Sequence, residues 1–267
     1  MTVWLLRQPQ WLALVLIVGG LAGVSAAAFR LVHVRWPAER RRRHNDVAGF
    51  IFTVAGAMYG VLLGFVVVVL WEQYSDALAA TDHEAAVALA MQHELASTAG
   101  RATAAGDEAA RSEALQALHA YVRSVVDGEF PELAAGGMPA DSTPVLATLW
   151  TATAPAVDAG ANSGGTLARA RDLLDDLIEA RSMRLSAARN TLPTTVWLAI
   201  ALGGVLTIGF GCLFGAESAL VQGVMVAALA GLIGVLVYLT VELDHPFAGR
   251  VRATPVGFQQ ILTSPSR

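Results

Sequence analysis

Residues 40–71 read RRRRHNDVAGFIFTVAGAMYGVLLGFVVVVLW, and this stretch decides the fold. Four arginines, Arg40 to Arg43, run into His44-Asn45-Asp46 and then into about 25 almost wholly apolar residues ending at Trp71. A helix needs about 20 apolar residues to cross the hydrocarbon of a bilayer, so this one spans a membrane. Gly56, Gly60 and Gly64 recur every fourth residue, which puts them on one helix face. A face without side chains lets another helix approach closely where no hydrophobic force drives association. Two readings follow: packing inside a bundle, or packing around a symmetry axis with this helix lining a pore.

The composition agrees. Of 267 residues, 55% are hydrophobic and only 15% charged, with a mean hydropathy of +0.52, too little charge for a water-soluble surface. A net charge of −4, spread along the chain, implies no polyanion and hence no nucleic-acid partner. All 18 basic residues are arginine, a bias that fits GC-rich coding better than function. Cys212 is the single cysteine, which excludes intrachain disulfides and cysteine zinc sites. Residues 11–28 mimic a secretory signal, with Arg7 before them and Ala26-Ala27-Ala28 as a cleavage site. The apolar run continues through Val34, longer than a signal core.

Four stretches are long enough to span a bilayer: about 11–34, 47–71, 194–214 and 219–241. The expected architecture is therefore an all-α integral membrane protein. A transmembrane hairpin (1–71), a helical extramembrane domain (72–193), a second hairpin (194–241) and a C-terminal tail (242–267) follow in order. Within the insert, apolar spacing predicts helices over Glu72–Ala99, Glu108–Phe130 (closed by Pro131), Pro144–Ala156 and Leu167–Thr191. The Gly-, Ser-, Asn- and Pro-rich links Ala134–Thr143 and Asp158–Gly165 read as loops. The first and last insert helices extend the second and third membrane helices into a stalk capped by the middle ones.

Five arginines within Arg35–Arg43 argue for a cytoplasmic loop by the positive-inside rule, leaving the insert and both termini outside. Arg7, Arg181, Arg184, Arg189, Arg250 and Arg252 near helix ends on the other side cancel that bias by count. Gly19 with Gly23 and Gly211 with Gly215 repeat the close-packing spacing.

No ionisable side chain falls at the centre of any span, which disfavours a proton-coupled pump or transporter. A pore of backbone, glycine and apolar rings can still gate by dewetting. Phe50, Phe52, Tyr59 and Phe65 are candidates for such a ring, against plain packing on neighbouring helices. Asn45 and Asp46 precede the second helix and suit capping of its free amides, while His44-Asn45-Asp46 at a pore mouth is the functional rival. Glu242, Asp244 and His245 form either a cation site or a turn that anchors the tail, and are too few oxygens for calcium alone.

Enzyme signatures are missing: no phosphate-cradling glycine loop with a lysine, no His-Glu-x-x-His, no Gly-x-Ser-x-Gly. No enzyme activity or cofactor is expected. His83 and His93, near Asp82, Glu84 and Glu94, read as a solvated helix face.

His44-Asn45-Asp46-Val47-Ala48-Gly49-Phe50-Ile51-Phe52, Trp71-Glu72-Gln73-Tyr74, Leu192-Pro193 with Trp197, and Glu242-Leu243-Asp244-His245-Pro246-Phe247-Ala248-Gly249 together resemble the bacterial bestrophin-like membrane family, domain DUF4239. Tyr121-Val122, Glu129-Phe130-Pro131 and Arg181 with Arg184 extend the resemblance through the insert. The resemblance implies a bacterial cytoplasmic (inner) membrane and a homo-oligomer, pentameric by analogy with bestrophin anion channels. It places the pore on the second helix, among Phe50, Thr53, Gly56, Gly60 and Gly64, with lipid and ions as partners. It also implies a cytoplasmic insert and termini, opposite to the arginine-loop reading. Phe247-Ala248-Gly249 departs from the Phe-Gly of bestrophins and their dense acidic run is missing, which counts against calcium gating. An oligomeric ion channel is thus the leading expectation. A non-conducting scaffold or sensor, whose domain 72–193 binds a partner or ligand, is the alternative.

Overall fold

A computed structural model describes residues 8–36, 45–97, 105–139, 143–153, 166–215 and 218–263. The run Arg40–His44 lies outside these. Among the described residues the regular structure is helical. The helices are α1 (Gln10–Arg35), α2 (Asn45–Ser97), α3 (Ala105–Ser124), a π-helical turn (Val125–Glu129), α4 (Phe130–Ala134), α5 (Thr143–Thr153), α6 (Thr166–Arg189), α7 (Thr194–Leu213), α8 (Ala219–Leu243) and α9 (Val256–Thr263). Two compact units emerge, a membrane unit of Met1–Glu72 with Thr191–Asp244, and a helical unit of Gln73–Asn190 with His245–Arg267.

The protein is an all-α membrane protein with four helices long and apolar enough to cross a bilayer, in α1, α2, α7 and α8. The membrane unit is held by close helix approach. A Cβ on Gly234 of α8 would lie 3.0 Å from Val18 Cα of α1, and one on Gly223 would lie 3.3 Å from the Phe29 ring. Glycine there lets two backbones come within van der Waals range, which is what holds helices together in lipid. On α7, Gly203 and Gly204 form the floor under Tyr59 of α2, whose hydroxyl donates to the Ile200 carbonyl at 3.1 Å.

Polar side chains close the end of α7. The last carbonyls of a helix have no partner inside it, and hydrocarbon offers none. Gln222 of α8 donates to the carbonyls of Phe214 and Gly211. Asn45 exchanges two 3.0 Å bonds with the backbone of Gly215, donating to its carbonyl and accepting from its amide.

In the helical unit, Ala77, Ala88, Met91 and Leu95 of α2 recur at helical spacing and face a single core shared with α3, α5 and α6. Three expectations change here. Pro131 does not close the third helix: the chain widens into the π-turn, Phe130 N–H reaches Val125 O, and Pro131 sits in the first turn of α4. Proline lacks an N–H, and the first turn of a helix is where that loss is tolerated. The segment set apart as a tail, 242–267, is not peripheral. Phe247, Phe258 and Ile261 lie in the helical unit's core, and Phe130 meets both phenylalanines edge-on at 6.0 and 6.2 Å. Asn190–Pro193 are not helical, so α6 and α7 are separate elements rather than one continuous stalk helix.

Candidate functional site

Tyr59, Leu63, Val66 and Leu70 turn one side of α2 into the membrane unit. The glycine face lies roughly a third of a turn away. A Cβ on Gly56, Gly60 or Gly64 would meet nothing within 4 Å, so no packing among the described residues calls for glycine there. Thr53 is exposed on the same side and its hydroxyl donates to the Gly49 carbonyl at 2.9 Å, which satisfies it without an outside partner. Phe50 and Phe65 are exposed at 73% and 68%. Tyr59 is buried on α7, and Phe52 packs edge-on against Phe214 at 5.5 Å. The four aromatics therefore divide: Phe50 is available to a ring, Phe65 lies seven residues from Met58 on the side away from the glycines, and Tyr59 and Phe52 are committed to neighbouring helices.

Of the pore-mouth candidates, His44 lies outside the described residues and only the backbone of Asp46 is described. Asn45 is the first residue of α2, and its amide fastens the helix to Gly215. Glu242 is buried and accepts from the Tyr238 hydroxyl at 2.8 Å. Asp244 accepts from the Leu192 amide at 2.6 Å, just before Pro193 opens α7. The Leu192-Pro193 and Glu242-Leu243-Asp244 segments of the motif are thus two halves of one contact. Among the described residues no three His, Cys, Asp or Glu side chains gather as a metal site.

The helical unit holds an ionic cluster around Glu84, a residue of the helix face that was expected to be solvated. Glu84 and Arg184 are both 0% exposed. Arg184 grips Glu84 through Nε (2.6 Å to Oε2) and Nη2 (3.2 Å to Oε1). The same Nη2 donates to Glu129 Oε2, and Arg181 reaches Glu129 Oε1 through Nε (3.1 Å) and Nη2 (2.9 Å). Tyr121 donates to Glu84 Oε1 at 2.7 Å. Two carboxylates and two guanidiniums balance, as buried charges must. The guanidinium of Arg184 also lies 5.3 Å over the Phe130 ring, and its Nη1 has no hydrogen-bond partner among the described residues.

Burial works to raise the Glu129 carboxyl, but Arg184 and Arg181 outweigh it and hold it below its ordinary value. Burial and the Glu84 charge push the Tyr121 phenol well up, so it stays protonated and donates to Glu84. Burial opposes the charge on Arg184, yet the two carboxylates raise its pKa further still. The π-turn ends at Glu129 and sets where that carboxylate falls; such turns are frequent at functional positions. The spacing of Arg181 and Arg184, three apart on α6, was the available signal, because it puts both on one face.

The fold is shared with a crystal structure of a membrane protein, at a TM-score of 0.65 and 14% identity over 91% of this chain and 95% of that one. No curated protein matches the chain significantly. The Bestrophin-like domain matches residues 19–258, which takes in α2 with its glycine face, the ionic cluster and the Glu242–Gly249 motif, and the chain belongs to that family.

Proposed function

We propose that this bestrophin-like membrane protein is the protomer of an oligomeric ion channel, with α2 lining an axial path. The observation that carries the reading is the open face of Thr53, Gly56, Gly60 and Gly64: the described residues of one chain give no packing reason for its glycines. Copies arranged around an axis supply one, since small residues leave room for a path walled by backbone. Phe50, exposed at 73% and the nearer of the two exposed phenylalanines to that face, provides an apolar constriction of the kind that gates by dewetting. The family resemblance makes anions the expected permeant species, a bacterial cytoplasmic membrane the expected site and conduction rather than catalysis the role.

Purified protein in liposomes is expected to pass chloride in a flux assay. Gly60→Leu, which adds a side chain into open space, is expected to cut that flux at least about tenfold without lowering thermal stability. Equal flux from wild type and Gly60→Leu, or none from wild type, overturns the reading.

A further inference from the structure

The membrane unit carries a groove of about 560 Å³ between α1 and α7, with Tyr59 of α2 and Ile233 of α8 in its floor. Its wall holds no charged side chain, and its two hydroxyls are spent locally: Tyr59 donates to the Ile200 carbonyl at 3.1 Å and Ser25 to the Ala22 carbonyl at 2.8 Å. The volume lies within the range of ligand sites, roughly 300–1,000 Å³. Water does not fill so apolar a space, and an empty one forfeits dispersion contacts along its whole length.

The geometry points to one acyl chain of a membrane phospholipid as the resident of this groove. Along α1 the lining runs from Gly20 to Val32 and along α7 from Trp197 to Cys212. At 1.5 Å per residue these are about 18 and 22 Å. One leaflet of hydrocarbon, half of about 30 Å, is slightly shorter, so a whole chain fits lengthwise. Trp197 marks the headgroup end: it sits near the start of α7, and tryptophan favours the membrane–water boundary. From there the chain passes Gly204 and Tyr59 towards Cys212, touching α2 about a third of a turn from the face of Thr53. The site is continuous with the lipid around the spans, which supply the ligand without a water-crossing step. Conduction is not required for it.

Glycines make the test clean. Gly20 and Gly209 line the groove, Gly23 does not, and a Cβ on any of the three meets nothing within 4 Å. Replacing glycine by leucine in a helix interior favours folding, so all three variants are expected to fold. Full-length protein is moved from nanodiscs of palmitoyl-oleoyl phosphatidylglycerol into mild detergent and weighed by native mass spectrometry. Wild type and Gly23→Leu are expected to keep one phospholipid per protomer. In Gly20→Leu and Gly209→Leu the occupancy is expected to fall at least about tenfold, because each leucine displaces several buried methylenes. Equal retention in all four proteins, or none in wild type, overturns the assignment. So does dissociation of the oligomer in the two groove variants, which would make a second copy the occupant.

Discussion

Arg184 is the residue on which the helical unit turns. Its guanidinium ties Glu84 of α2 to Glu129 of the π-turn, and it is wholly buried. Removing one partner of such a set leaves an uncompensated charge in a low dielectric, at a cost of about 3–5 kcal/mol. Arg184→Met is therefore expected to lower the unfolding free energy from denaturant titration of the purified protein by that amount, whereas Arg184→Met with Glu84→Gln and Glu129→Gln should recover a large part of it. Failure of the triple variant to gain on the single one would show that the guanidinium acts by shape rather than charge. The same cluster sets an acid limit. Glu129 has its folded-state value depressed, so its contribution is present above the unfolded value near 4.3 and is lost as pH falls below it. His119 is pushed down by burial and by Arg123, so protonation favours the unfolded chain and its loss begins higher, below about pH 6.5. The thermal midpoint is expected to drop in these two steps, and Glu129→Gln should keep only the upper one.

At the scale of elements, apolar length found the spans, because bilayer thickness is a constraint that any crossing helix must meet. The limits of α7, Thr194–Leu213, fall within a residue of the expected 194–214. Helical spacing also found the insert's helices. It did not find the π-turn: whether proline ends a helix or opens its continuation depends on backbone pairing, and Val125 and Phe130 reveal nothing of that as letters. Nor could spacing show that Glu84 is buried, because its guanidinium partner lies 100 residues away. The same blindness applies to α9. Its eight residues look like a tail, yet Phe258 and Ile261 are fully buried, and a Cβ on Gly257 would come within 2.7 Å of the Ala85 Cβ of α2. Phe258→Ala is expected to destabilise the helical unit by about 3–5 kcal/mol, the usual cost of a phenylalanine-sized cavity. An isolated fragment 72–193, lacking these side chains, should expose apolar core and aggregate. A monomeric, cooperatively unfolding 72–193 would refute the assignment of α9 to that core.

The whole molecule joins a membrane unit with little internal burial to a helical unit with a closed core and a neutralised ionic centre. Much of the surface of α2 between Phe50 and Trp71 is apolar and exposed, including Met58 at 70% and Val61 at 59%. Exposed apolar residues suit lipid on every side, so exposure alone does not separate a lipid-facing helix from a pore-lining one. Water does. If α2 lines an axial path, Thr53 and Gly60 meet water while Met58, on another face, meets hydrocarbon. Cysteines placed at these three positions in a Cys212→Ser background, in liposomes, are expected to differ accordingly towards a charged, water-soluble thiosulfonate. Thr53→Cys and Gly60→Cys should react and lose chloride flux, since a thiol in hydrocarbon does not ionise and the thiolate is the reactive form. Met58→Cys should remain unmodified and conducting. Uniform silence at all three would place the glycine face against lipid or another helix, and α2 would then be an anchor rather than a wall.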